Sequence, residues 1–378
     1  FYEIYRYRIR HALFIRRTAL CCGLHHKQRS DVDDLPIIQL LKTMPKMNNC
    51  ISVVVVTYNQ EQTIGRALDS ILMQKCHLPI EICIGDDCST DATQIVCERY
   101  ATRFPDIIHY HRNDRNKGVI DNYYDTLLAC NGQFVADCAG DDFWVDPLKL
   151  EKEVRLLEEN PSITLVHTAW RYYDEPSKSV LPHPILSAEN SITDGRKLLV
   201  PIAIQVGLPV IHLCTALYRK QTFLQAYAED PMLFRNQAFK CEDLQLSFIM
   251  AYAGKIAYLP DVTLYYSTGK TSVSNAEDDE RQFRFVTGVT QLSHYLIRKY
   301  NLQAPEINHY FNYRIFALAM HAFRLQSQEL FNETEKLRKQ WNVKGDWRYK
   351  LIRMGGPSLS PRKEGKTHPS MIYKLYRL

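Results

Sequence analysis

The chain has 378 residues, 46% of them hydrophobic and 24% charged, with a formal net charge of +5 and eleven cysteines. That length supports a substantial buried core and about two structural units; the longest apolar run falls short of about 18 residues, and the arginines throughout Phe1 to Arg17 interrupt any signal-peptide core, so the expectation is a protein without a membrane span or leader. The cysteines are odd in number and lack a paired CxxC pattern, which argues against a disulfide framework and predicts reduced thiols in a cytoplasmic setting.

The positive charge sits at the ends. Phe1 to Ser30 holds seven Lys or Arg and one Glu, and Asp346 to Leu378 holds eight against Asp346 and Glu364, which leaves the middle acidic. No nucleic-acid partner is expected, because the acidic middle carries the candidate chemistry. Aromatics and leucines are mixed with the terminal cations in YEIYRYRIRHALFIRR and MIYKLYRL. That mixture suits an anionic membrane surface, reached peripherally from the inner face; solvated, poorly ordered ends are the plainer alternative.

In chain order, Ser52 to Gln60 (SVVVVTYNQ) reads as a β-branched strand followed by a helix, with Asn59 as cap, Gln62 three residues on, and Ile64, Leu68 and Ile71 on one face. Ile80 to Asp87 (IEICIGDD) is a second strand, after which Cys88 to Asp91 opens a helix with Ile95 and Val96 on its apolar side. Phe134 to Trp144 (FVADCAGDDFW) is an apolar strand that breaks at a glycine and ends in Asp141 and Asp142. Two adjacent anions at a buried strand end call for a cation, so the pair predicts a divalent metal, Mg²⁺ or Mn²⁺, that in turn holds a phosphate. Asp146-Pro147 starts a helix buried through Val154 and Leu157, and Leu213 to Arg219 reads as a strand, with His212 beside it taken as a satisfied histidine. Residues 277–342 are helical in pattern, with apolar clusters such as Ile315, Leu318 and Phe323.

Strands alternating with helices imply a mostly parallel α/β sheet, whose ligands bind beyond the carboxyl ends of the strands. Thr57, Tyr58, Asp86, Asp87, Asp141 and Asp142 all lie at such ends and are expected to converge on one crevice. Each has a duller reading: an Asp-Asp after a strand is often a turn and helix cap, and Glu242-Asp243 is by itself a helix start whose carboxylates favour the dipole.

The segments from Ser52, from Ile80 and from Arg115 to Leu150, taken in order, resemble the family 2 glycosyltransferases of the GT-A fold, with the match running from about Ile51 to about Asn275. The resemblance implies a mostly parallel central sheet with flanking helices, followed by a C-terminal helical appendage. It also implies that Thr57 and Tyr58 border a nucleotide base, that one of Asp86 and Asp87 accepts a hydrogen bond from base or ribose, and that the Asn116 to Gly118 backbone passes close to the nucleotide. Asp141 and Asp142 match the end of an acidic motif whose first position is here Ala139, with Asp137 a weak substitute. Glu242-Asp243 match the later Glu-Asp pair, whose aspartate is the base in inverting members. Tyr265 to Gly269 stands where many relatives carry a Tyr-Arg-x-His segment, leaving Lys270 as the nearby cation.

The expected organisation is a basic extension over residues 1–47, a catalytic domain over 48–275, a helical appendage over 276–345 and a basic tail over 346–378. The expected function is inverting transfer of a sugar from a nucleotide diphosphate sugar, UDP-linked, to a hydroxyl of a glycan or lipid-linked acceptor, as in surface polysaccharide synthesis. The alternative is a catalytically degenerate domain that binds nucleotide sugars or glycans, which Ala139 favours. A dinucleotide oxidoreductase is disfavoured, since Thr57 to Gln60 stands where a G-x-G-x-x-G would follow the first strand.

Overall fold

The computed structural model describes residues 47–181, 187–206, 211–268 and 279–355. The basic stretches before 47 and after 355, Gly269 and Lys270, and the boundary near Asn275 lie outside the described residues.

Strand β1 (Asn48–Thr57) is the centre of the design. From Cys50 to Val55 every residue is buried, as expected for a strand covered on both faces, and its β-branched side chains suit the pleat. Helix α1 (Ile64–Leu72) returns the chain to β2 (Ile80–Asp86), which pairs parallel to β1 with Val53 opposite Ile82 and Thr57 opposite Asp86. Helix α2 (Thr93–Arg103), β3 (Ile108–Arg112), α3 (Val119–Ala129) and β4 (Gly132–Asp137) complete a parallel group, with β4 on the other side of β1. The carboxyl ends of β1, β2 and β4 therefore share one edge.

The remaining strands are β5 (Phe143–Trp144), β6 (Ile163–Asp174), β7 (Ser179–Val180), β8 (Ser191–Asp194), β9 (Ala216–Arg219) and β10 (Lys255–Thr268). Among the described residues the ten strands form one sheet with the order β3-β2-β1-β4-β9-β6-β10-β5, β7 and β8 pairing at the side. Strand β9 runs antiparallel to both β4 and β6, whereas β6 and β10 are parallel. Because β9 points the opposite way, its beginning lies beside the end of β4 and opposite His167 in β6, and the 3-10 turn Leu213–Thr215 ahead of it is delivered to the crevice edge. The strand expected from Leu213 thus starts three residues later.

Helices α4 (Lys149–Glu159), α5 (Leu199–Ile204), α6 (Lys220–Glu229), α7 (Pro231–Arg235) and α8 (Asp243–Ala253) fill the connections. Val154 and Leu157 are buried on α4 as expected. Asn59 does not cap α1: it sits at φ 54°, and its side-chain oxygen accepts the Thr90 N–H (2.8 Å), clasping the loop after β2 instead. Ile95 is exposed, so only Val96 of the expected pair packs on the core.

After β10 in the chain come α9 (Asp279–Lys299), α10 (Pro305–Arg324), α11 (Gln328–Gln340) and α12 (Trp347–Gly355). Contacts divide the described residues into two compact units, 47–268 with 291–303, and 279–290 with 304–355. In the second, Ile315 and Leu318 are buried, His321 Nδ1 lies 2.7 Å from an Asp279 oxygen, and Arg284 pairs with Glu333. Phe323 is partly exposed there, contrary to the apolar pattern.

Candidate active site

At the carboxyl end of β1, the Thr57 hydroxyl donates to Gln60 Oε1 (2.7 Å), and Tyr58 projects outward with 47% of its surface exposed. Asp86, fully buried, accepts from Ser89 N–H (2.9 Å), the Ser89 hydroxyl (2.5 Å) and the Tyr110 hydroxyl (2.9 Å). Asp87, whose N–H is held by the Thr57 carbonyl, accepts from Asn113 Nδ2 (3.0 Å), Lys117 N–H (2.8 Å) and Gly118 N–H (2.8 Å). The two acids thus shape the crevice wall: Asp86 closes the turn after β2, and Asp87 anchors the loop of Asn116 to Gly118. Gly118 takes φ +82°, which a β-carbon strains, with open space at its α-carbon.

The acidic turn after β4 packs against that wall. A β-carbon at Gly140 would meet Gln60 Oε1 and press on Thr57 Oγ1 (3.0 Å), so glycine lets the turn approach β1 without displacing the Gln60 side chain. Asp142 is 1% exposed; Oδ1 accepts the Ser267 N–H (2.9 Å), while Oδ2 has no hydrogen-bond partner. Burial, then the neighbouring Asp141 charge, pushes the Asp142 carboxyl well above the ordinary range, and burial raises Asp141 as well. A carboxylate pair whose buried member, Asp142, keeps one orphaned oxygen fits the divalent cation read from the sequence. Ser267, on the stretch lacking the Tyr-Arg-x-His signal, is therefore a clamp: its hydroxyl also donates to the Asp141 carbonyl (2.6 Å).

Two features were invisible in the sequence. Arg66 of α1 donates to the Asp141 carbonyl (3.1 Å), pairs with Glu175, and lies over the Phe143 ring at 4.1 Å. It places a cation beside the acidic turn, and nothing in its helical setting signals this. His212, expected to be satisfied, has a buried Nδ1 without a partner, and one ligand atom each from Asp142, His212 and Cys214 lie within 4.8 Å of one another. Burial pushes the His212 imidazole down to about 4, so it is neutral at pH 7.

Glu242 and Asp243 stand at the start of α8 as read from sequence, with the Glu242 carbonyl accepting the Tyr124 hydroxyl (3.1 Å). Burial, then the Asp243 charge, pushes Glu242 up to about 8, and burial raises Asp243. Asp137, at the end of β4, is 4% exposed and accepts from the Tyr123 hydroxyl, while its Oδ2 has no partner. Burial pushes it up to about 7, with the Asp243 charge a smaller contribution in the same direction. Asp137 thus joins the strand that ends in the acidic turn to the Glu242-Asp243 pair. One turn further on α8, the fully buried Gln245 has neither amide atom paired.

These raised acids fix a sign. In the folded state they hold protons that the unfolded chain releases near pH 4, so the folded state binds more protons and stability falls as pH climbs from about 4 to about 7 or 8. The melting temperature is expected to decline between pH 5 and pH 8. Asp137→Asn should flatten that decline by about 1–2 kcal/mol over the interval. Parallel melting curves for parent and variant across the range would remove the assignment.

The family model described as glycosyl transferase family 2 matches residues 52–224. An uncharacterized protein of Mycobacterium tuberculosis is 32% identical over 235 residues, covering 62% of this chain and 63% of its own, so the chain spans less than two thirds of that relative's length. The putative glycosyltransferase EpsE of Bacillus subtilis is 33% identical over 125 residues, covering 33% of this chain and 44% of its own. Among solved structures, S. aureus TarS 1-349 in complex with UDP-GlcNAc superposes with a TM-score of 0.49 at 16% identity, covering 81% of this chain and 92% of that one. The strand ends that carry Thr57, Asp87 and Asp142 all fall within the segment that the glycosyl transferase family 2 model matches.

Proposed function

We propose that the chain transfers a sugar, with inversion, from a UDP-linked nucleotide sugar to a hydroxyl of a glycan or lipid-linked acceptor, as in surface polysaccharide synthesis. The observation that supports this reading best is the electrostatic interaction of Asp137, at the end of the strand that leads to Asp141-Asp142, with the Glu242-Asp243 pair at the start of α8.

Each residue then has a task. Tyr58 offers an exposed ring face to the base, with Thr57 beside it, while Asp86 and Asp87 hold the surrounding loops so that the Asn116 to Gly118 backbone runs along the nucleotide. Asp141 and Asp142 would hold Mg²⁺ or Mn²⁺, which neutralises charge on the leaving diphosphate. Asp243 accepts the proton of the acceptor hydroxyl as that oxygen attacks the anomeric carbon from the face opposite the phosphate, and its raised proton affinity keeps it an effective base near neutral pH. Glu242 holds the acceptor or the helix start.

The direct test is a thermal-shift screen of nucleotide sugars with and without Mn²⁺, followed by transfer assays with the donor that stabilises. UDP is expected to displace that donor at least about tenfold better than GDP, since an aromatic face and a fixed loop together select a base. Equal competition by the two diphosphates would count against the base assignment. Ala139 favours a second reading, a domain that binds donor without turnover, and a donor hydrolysis assay separates the two. Among the described residues no helix is long and apolar enough to cross a membrane.

A further inference from the structure

We infer that Asp142, His212 and Cys214 together form the metal site, with an imidazole and a thiolate replacing the carboxylate missing at Ala139, and that this site takes ions of the Zn²⁺ or Co²⁺ class in preference to Mg²⁺. The inference deepens the reading above, from which it takes only a cation at the acidic turn.

Three observations converge. One ligand atom from each residue lies within 4.8 Å of the other two. Two of those residues carry buried polar atoms with no hydrogen-bond partner, Asp142 Oδ2 and His212 Nδ1, and these two belong to one cluster with a third ligand atom. Each residue is also pinned by an atom other than its spare donor. Asp142 Oδ1 accepts the Ser267 N–H (2.9 Å), and the Cys214 carbonyl accepts the Trp144 indole N–H (2.8 Å). The His212 carbonyl accepts the Thr215 N–H (2.8 Å) and hydroxyl (2.6 Å), and its ring packs against Tyr266 at 4.7 Å and Trp170 at 5.5 Å. Ligands held from behind leave little to reorganise on binding.

The donor set decides the ion. An oxygen, a neutral imidazole and a sulfur make a three-ligand site with positions left for the diphosphate or water, the pattern of catalytic zinc centres, whereas Mg²⁺ demands oxygen ligands in near-ideal octahedral geometry. Cys214 Sγ already accepts the Ala139 N–H (3.4 Å), and on binding its thiol proton passes to solvent. Two other clusters have similar composition, Cys76-His77-Glu151 and Glu81-Cys83-Cys130. Their carboxylates are already engaged, Glu151 by His77 and Arg155, Glu81 by Ser52 and Asn131.

The test is cobalt titration of the full chain after metal removal, read by the near-ultraviolet thiolate-to-cobalt charge-transfer band and the visible bands of a tetrahedral ion. One equivalent of Co²⁺ should produce both, Zn²⁺ should bleach them, and equimolar Mg²⁺ should not. Cys214→Ser should abolish the charge-transfer band, and His212→Gln should weaken binding by at least tenfold, while Cys76→Ser and Cys83→Ser leave the spectrum unchanged. If Cys214→Ser fails to fold, His212→Gln alone decides. Absence of the band in the parent, its persistence in Cys214→Ser, or parent affinity in His212→Gln overturns the site. No donor or acceptor enters this measurement: a normal cobalt spectrum without sugar transfer sinks the transferase reading and leaves the site standing, and transfer without the band does the reverse.

Discussion

Asp243→Asn is expected to keep the fold and to hold the donor dissociation constant within about twofold, while the transfer rate falls about a hundredfold or more, the usual size of a general-base contribution. The substitution preserves shape at the first residue of α8 and removes the basic oxygen. Donor affinity should be indifferent to it, because a base that acts only as the new bond forms contributes nothing to the ground state. The pair titrates together, so the rising limb of the rate against pH belongs to Glu242 and Asp243 jointly and should lie above the ordinary carboxylate range. Glu242→Gln should have a smaller effect. An Asp243→Asn enzyme that turned over near the parent rate with its cognate donor and acceptor would transfer the role to Glu242.

Replacing either Asp141 or Asp142 by Asn should weaken metal-dependent donor binding and turnover by at least about tenfold, roughly 1.4 kcal/mol. Asp142→Asn separates charge from architecture, because the amide oxygen can still accept the Ser267 N–H while the anion is lost. Its melting temperature should hold or rise at neutral pH, since a buried charge that burial disfavours has been removed. Unchanged activity in both variants at chelator-controlled metal levels would dispose of the acidic turn as a cation site.

Much of the scaffold was readable because its signals are local. The Val53 to Val56 run, the Asp86-Asp87 and Asp141-Asp142 strand ends and the helix start at Asp243 each announce themselves within a few residues. Strand order does not. Nothing in Ala216 to Arg219 reveals that it runs antiparallel between β4 and β6, so the arrival of His212 and Cys214 beside Asp142 could not be inferred. Arg66 was hidden for a related reason: a partly exposed arginine on an amphipathic helix is ordinary, and its partners Glu175 and Ser267 lie far along the chain. Asn59 shows the limit of a motif read by spacing, since its side chain went to the neighbouring loop rather than to its own helix.

The position of β9 also bears on the order in which the molecule folds. Strands β1 to β4 occupy adjacent places joined by short helical crossovers, so the wall that carries Thr57, Asp87 and the Asn116 to Gly118 loop closes through contacts near in sequence. Strand β6 has its principal neighbours in β9 and β10, both far later in the chain, and must wait for them. Closing those long loops is the costly step for a sheet of this topology. The wall of Thr57 and Asp87 is therefore expected to form before the sheet closes, whereas Asp142 is expected to meet His212 and Cys214 only when the last central gap is filled.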